Sequence, residues 1–212
     1  MDYRAVKRVF DVCVSAAALV ALAPLLAGIA IAVRLGAPGP ALYRSLRLGV
    51  GGRTFEMLKF RTMQVNAPDV RNPDGSTYSG TDDPRITRFG YWLRRTSLDE
   101  LPQLWNVVRG DMSLVGPRPE LPDQVRYYSA DDRRRLDVRP GITGLAQVSG
   151  RNDLSWTERR ALDVHYVASI NFREDLRILR LTIPRVMQAR GIFGSGVVGK
   201  RPERDDDAPS ED

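Results

Sequence analysis

The chain is poor in the residues that build metal centres and disulfide frameworks. Its 212 residues include one cysteine, Cys13, and one histidine, His165. A single cysteine excludes an intrachain disulfide and a multi-cysteine zinc site, and a lone imidazole excludes a histidine-rich metal centre. Any Ser/His/Asp triad has to pass through His165. Lysine is nearly as scarce: Lys7, Lys59 and Lys200 are the only three. Arginine therefore supplies most of the 32 basic residues, which stand against 26 acidic ones and give a formal net charge of +6. That excess favours anionic partners such as phosphates or an acidic membrane face. With no lysine-rich stripe and no recognised nucleic-acid motif, nucleic acid is not expected as a partner. A hydrophobic share of 42% excludes global disorder, and the length suits one domain with a real core. No internal repeat and no second domain is visible.

Charge is missing altogether from residues 12–33, VCVSAAALVALAPLLAGIAIAV. As a straight helix this run measures about 33 Å, enough for a bilayer core. Arg4, Lys7 and Arg8 precede it, and Arg34, Arg44 and Arg47 follow it. Positive charge on both sides conflicts with a straight span, which should carry it on the cytoplasmic side only. Pro24, near the middle, removes a helical hydrogen bond. A helix that enters, breaks at Pro24 and returns to the same face resolves the conflict. A kinked spanning anchor fits the same residues. A cleaved signal peptide fits them less well, because its apolar core runs about 7–15 residues.

Beyond Arg34 the chain is soluble in character. The breaker cluster at 36–40 leads into two short runs, 41–47 and 54–60, around Val50-Gly51-Gly52, which read as a β-hairpin. A polar stretch at 66–84 reads as a long loop, either a mobile lid or disordered. Helical patterns follow at 86–95, 99–109, 121–128, 155–170 and 175–190. Residues 85–93 read either as an interfacial helix with Phe89, Trp92 and Leu93 in lipid or as an amphipathic core helix. From Gly191 the polar, acidic tail reads as disordered. The expected fold is mainly α with a short β-hairpin. It divides into the apolar helix with its flanks (1–40), a soluble domain (41–192) and a tail (193–212).

Three blocks carry chemistry. In Arg94-Arg95-Thr96-Ser97-Leu98-Asp99-Glu100, the Ser97-x-x-Glu100 spacing matches a capping box and places Asp99 in a helical first turn. Adjacent carboxylates beside arginines suit phosphoryl chemistry, one as nucleophile and the other as metal ligand. The plain alternative is a capped helix that Asp99 merely decorates. In the second block Pro117 and Pro119 restrict the backbone of Arg118, aiming a guanidinium suited to phosphate or carboxylate. The plain alternative is a solvated turn. The third block, residues 139–152, carries four glycines and Arg151 and allows close backbone approach to a ligand. Asp163, His165 and Tyr166 lie beyond it, with His165 expected as an ordinary packed or surface residue.

Taken together, KRVFDV, KFRTM, DDPRITRFG, LRRTSLDELPQLWNVVRGDMSLVGPRPE and RPGITGLAQVSGRN closely resemble the bacterial sugar transferases, the monotopic polyprenyl-phosphate phosphoglycosyl transferases, in their minimal single-domain form. The resemblance implies transfer of sugar 1-phosphate from a UDP-sugar to polyprenol phosphate at the bilayer, on the cytoplasmic face of the bacterial inner membrane, with UMP released. It implies Asp99 as nucleophile, Glu100 as ligand of Mg²⁺, and Arg94, Arg118 and Arg151, with Pro117 and Pro119, as substrate-facing residues. It also implies a re-entrant helix broken at Pro24, with both termini cytoplasmic and interfacial amphipathic helices beside a cytosolic catalytic domain. The family often has Ser-Pro at that break, where this chain has Ala23-Pro24. A membrane-anchored, non-catalytic protein that binds anionic lipid is the alternative reading.

Overall fold

The computed structural model describes residues 3–72, 77, 78, 80 and 83–188. The expected tail, the end of the last helix and part of the 66–84 loop lie outside the described residues. The apolar run forms two helices, α1 (Tyr3–Ala21) and α2 (Ala23–Gly36), bent by 65° where they meet. Among the described residues no single helix is long and apolar enough to cross a membrane, although the bent pair together is. Pro24 stands in the first turn of α2, where its missing N–H has no intrahelical acceptor to lose. The helical ladder continues on both sides of the bend, with Leu22 donating to Ala18 at 2.8 Å and Leu26 to Leu22 at 2.9 Å.

Helix α1 turns its polar ridge inward. Lys7, Asp11 and Ser15, spaced by four, are buried, while Val9, Phe10 and Val20 are exposed. The buried groups have partners in the rest of the chain. Lys7 Nζ lies 2.7 Å from Asp175 Oδ2, the Tyr3 hydroxyl donates to the same oxygen at 2.5 Å, and Ser113 Oγ donates to Asp11 Oδ2 at 2.6 Å. Arg8 donates to the Val107 and Val108 carbonyls. Lys7 and Arg8 of the expected basic flank are therefore bound to the rest of the chain. On α2, Ile29 and Val33 pack with Phe60 and Leu93 in one apolar cluster. Arg61 fixes the exit of α2 by donating from all three guanidinium nitrogens to the carbonyls of Ala37, Pro38 and Pro40 at 2.7–2.8 Å.

The hairpin forms as expected. Strands β1 (Leu42–Leu48) and β2 (Thr54–Phe60) pair antiparallel around a one-turn 3-10 helix at Val50–Gly52, with Gly51 and Gly52 at positive φ. Helix α3 (Arg88–Thr96) follows, capped by Thr87, whose hydroxyl accepts from the Gly90 N–H at 2.9 Å. A Cβ on Gly90 would sit 2.0 Å from the Thr62 carbonyl oxygen, so only glycine lets α3 approach the chain after β2 this closely. Leu93 is fully buried against α2, as the core-helix reading has it and the interfacial reading does not, whereas Trp92 is exposed and stacks on Phe89.

The expected helix over 99–109 starts late. Ser97 ends α3 in the left-handed conformation, a single 3-10 turn holds Leu98–Glu100, and α4 runs over Gln103–Arg109. The capping box of Ser97 and Glu100 does not form, so Asp99 does not sit in the first turn of an α-helix. A box of that kind closes instead at Ser155 and Glu158, opening α6 (Trp156–Ala168). The pattern at 121–128 forms a 3-10 helix over Pro122–Tyr127. Helix α7 (Phe172–Met187) begins earlier than expected because Asn171 caps it, accepting from the Glu174 N–H at 3.0 Å.

Two three-residue strands were not expected. Strand β3 (Ser113–Val115) pairs parallel with β4 (Gly141–Thr143), and α5 (Leu145–Ser149) follows directly. They join the second chemical block to the third: Gly116 N–H donates to Thr143 and Gly141 N–H to Pro117, at 2.9 and 2.8 Å. The main core lies behind this junction and includes Leu104, Val115, Leu145, Tyr166 and Ile178.

Candidate active site

Three separate stretches bring charge to one place. The hairpin delivers Lys59 from β2, the 3-10 turn after α3 delivers Asp99 and Glu100, and the turn after β3 delivers Arg118. Lys59 Nζ and Arg118 NH2 both donate to Glu100 Oε1 at 2.9 Å. These contacts, rather than Ser97, settle the orientation of Glu100, because two cations outweigh one backbone N–H as partners for a carboxylate. Lys59 was not singled out in the sequence as a site residue, since an isolated lysine in a strand carries no local signal.

The lysine is held in place by Asn106, which is fully buried on α4. Its carboxamide accepts from the Leu58 N–H at 2.9 Å and donates to the Glu56 carbonyl at 2.7 Å, so it pins the free edge of β2 beside Lys59.

Asp99 is buried at 7% exposure and makes no side-chain hydrogen bond among the described residues. Burial pushes its carboxyl up from the ordinary 3.8 to about 6; Lys59 opposes that shift and the Glu100 charge adds to it. Burial would raise Glu100 as well, but Lys59 and Arg118 overcome it and hold Glu100 well below the usual range. One carboxylate is thus locked in its ionised, ion-paired form while its neighbour is kept unpaired and more basic, a division of roles that suits a nucleophile beside an anchor.

The other arginines take different positions. Arg94 Nε donates to Thr62 Oγ1 at 2.9 Å, and burial depresses its guanidinium pKa. Arg151, at a left-handed φ of 54°, reaches Ser97 Oγ at 3.4 Å and leaves a second nitrogen buried without a partner. The Arg118 side chain is 40% exposed, and beyond its bond to Glu100 its remaining N–H groups make no hydrogen bond among the described residues. Pro117 and Pro119 are buried and shape the turn. Behind that turn Arg135 donates to the Arg118 carbonyl and pairs with Asp163. Pro24 lies in the bent helix pair, away from this cluster of charge. His165 is exposed, and Asp163 and Tyr166 are committed to the packed interior, which leaves no triad.

Among the described residues no three His, Cys, Asp or Glu side chains gather to hold a metal ion. Asp99 and Glu100 offer two neighbouring carboxylates, and the second oxygen of Glu100 is not used by the ion pairs. That donor set fits a Mg²⁺ ion, which takes one or two carboxylates and fills its shell with water and substrate phosphate.

The chain is similar to known proteins over most of its length. The model of the family described as bacterial sugar transferase matches residues 2–189. The exopolysaccharide production protein ExoY of Sinorhizobium fredii is 44% identical over 198 residues, covering 88% of each chain. The UDP-glucose:undecaprenyl-phosphate glucose-1-phosphate transferase of Caulobacter vibrioides is 46% identical over 192 residues, 85% of this chain and 69% of the relative. The undecaprenyl-phosphate glucose phosphotransferase of Komagataeibacter xylinus is 42% identical over 88% of this chain, which spans 37% of that larger protein. Asp99, Glu100, Arg94, Arg118 and Arg151 thus lie in a chain that belongs to the bacterial sugar transferase family and is a glycosyl-1-phosphate transferase.

Proposed function

We propose that the enzyme moves sugar 1-phosphate from a UDP-sugar to undecaprenol phosphate or a similar polyprenol phosphate, in two displacements through an aspartyl-phosphosugar. It thereby starts a bacterial glycan of the exopolysaccharide kind. The observation that carries this reading is the unpaired, buried Asp99 beside a Glu100 held by two cations. In the first step an Asp99 oxygen attacks the sugar-bearing phosphorus. An acyl–phosphate bond forms, the bond to the bridging oxygen breaks, and UMP leaves with the electron pair. In the second step a polyprenol phosphate oxygen attacks the same phosphorus and frees the Asp99 carboxylate. Arg118, Arg94 and Arg151 offset the charge that moves to the leaving phosphate. Glu100 would hold Mg²⁺, which when bound would neutralise further charge on the diphosphate, while Asp99 stays free to attack.

The bent helix pair supports a re-entrant seat in the cytoplasmic leaflet. The exposed apolar faces of α1 and α2 enter lipid, and the ionic ridge stays on the domain. A shallow seat of this kind brings the catalytic charges level with the phosphate of a membrane-embedded prenol.

The test uses intact protein with Mg²⁺ and a panel of UDP-sugars, without prenol phosphate. With the right donor, UMP is released and the protein gains the mass of one sugar phosphate on Asp99; added prenol phosphate discharges it. Asp99→Asn abolishes both adduct and turnover. Direct attack by prenol phosphate in a ternary complex predicts no adduct, so an unmodified mass in a preparation active with both substrates overturns the covalent route.

A further inference from the structure

Beside Glu100 and Arg151 lies a cavity of about 250 Å³ that the chemistry described so far does not use. Its walls are largely apolar, with Leu98, Leu101, Ile142 and Val148 among them. Gln147 of α5 lines it, is 6% exposed, and leaves both its amide nitrogen and its amide oxygen buried without a hydrogen-bond partner. No other side-chain amide among the described residues is orphaned at both atoms. The neighbouring hydroxyls are already satisfied: Thr143 and Thr182 bond each other at 2.8 Å, and Thr96 bonds the carbonyls of α3. At the catalytic end of the cavity Arg151 leaves one nitrogen unpartnered.

A buried amide with no partner is costly to maintain, so a ligand that completes it is the natural account of its presence. The ligand has to present a donor and an acceptor side by side, on a body otherwise flat and apolar enough for the walls. An alkyl chain would fill the walls but leave the amide orphaned. A hexose carries hydroxyls around its whole rim and finds too few free partners here. The imide edge of uracil, with N3–H beside a carbonyl oxygen, matches the amide, and the ring faces match the aliphatic walls. With the base seated here, Arg151 is the cation within reach of the phosphates at the end of the cavity.

We infer that Gln147 is the base-reading residue of the donor site, pairing through its amide with the imide edge of uracil in the cavity beside Arg151. Gly144 lets the start of α5 pack against the Gly116 carbonyl, where a Cβ would lie 2.2 Å from its oxygen, and so sets Gln147 at the cavity wall. The inference rests on the nucleotide-sugar reading of the donor and adds to it a residue that selects the base.

The experiment is direct binding to the full chain in detergent, using UMP, 3-methyl-UMP and ribose 5-phosphate as probes. In the wild type, UMP should bind roughly tenfold or more tighter than 3-methyl-UMP, whose methyl group blocks the imide edge. In Gln147→Met, which keeps the length and loses the amide, UMP and 3-methyl-UMP should bind alike, while ribose 5-phosphate binds as it does to the wild type. The methylated probe keeps the test valid on the wild type alone if the variant fails to fold. Equal binding of UMP and 3-methyl-UMP by the wild type overturns the inference. So does a Gln147→Met protein that keeps full discrimination between UMP and 3-methyl-UMP, because the amide would then not be what reads the base. A wild type that binds no UMP at all but turns over another donor removes the UDP-sugar reading itself, and the inference with it.

Discussion

Asp99 and Glu100 are neighbours with the same functional group, yet their surroundings separate them. The raised carboxyl of Asp99 has two measurable consequences. As a nucleophile it must be ionised, so adduct formation should fall as pH drops through about 6. Because its folded value lies above the ordinary 3.8, ionised Asp99 opposes folding increasingly as pH rises from 3.8 to about 6, and fully above that. In metal-free buffer at pH 7.5, Asp99→Asn should therefore melt higher than the wild type, and the gain should shrink to nothing below pH 4. Thermal melts across that range decide it, and a variant that melts lower at pH 7.5 would refute the assignment. Arg118 offers a different test. Arg118→Lys keeps the charge but loses the planar fork, and one short ammonium cannot hold Glu100 and a substrate phosphate together. Turnover should fall about tenfold or more, on the order of 1.4 kcal/mol. Normal kinetics would reduce Arg118 to a turn residue.

Lys59 reaches the site only because β2 is fixed to α4. Replacing Asn106 with leucine would take the partner from the half-buried Leu58 N–H, at about 1–3 kcal/mol, and leave the Glu56 carbonyl only its 3.4 Å contact with Arg109. Asn106→Leu should therefore destabilise the protein and also loosen Lys59. Suppressed turnover in protein still folded well below its melting point is the expected result, and unchanged kinetics there would separate Asn106 from the site.

How much of this was legible in the sequence varied with the physics of each element. The hairpin was readable because two glycines at positive φ interrupt two short runs. Strands β3 and β4 were not, because three residues are too short a run for alternation to be detected. The Ser97-x-x-Glu100 pattern misled because local spacing cannot register a lysine 41 positions upstream that claims the same carboxylate. Asp99, Glu100, Arg94, Arg118 and Arg151 were identified through long motifs; Lys59, Asn106 and Gln147 act through contacts that no short window contains.

At the scale of the molecule, the proposed re-entrant seat makes the bend beside Pro24 decide which side of the bilayer each end of the helix pair meets. In a re-entrant seat, cysteines introduced near residue 5 and near residue 40 should both be labelled from the cytoplasmic side only, in a background where Cys13 has been removed. Pro24→Leu, which permits a continuous helix, should move part of the population to a crossing topology with one site labelled from outside. Labelling of either site from the periplasm in the unaltered protein would refute the re-entrant arrangement.

The inward polar ridge of α1 has a practical consequence for anyone wishing to handle this enzyme in water. Deleting the first forty residues would strip Lys7 and Tyr3 from Asp175 and Asp11 from Ser113, and would lay bare Phe60 and Leu93. The helix pair is part of the interior and cannot be trimmed like a tag, nor exchanged for an unrelated hydrophobic helix. A soluble version is better sought by repainting the outward faces, at Val9, Phe10, Val20, Ile31 and Leu35, with polar side chains while every inward residue is kept.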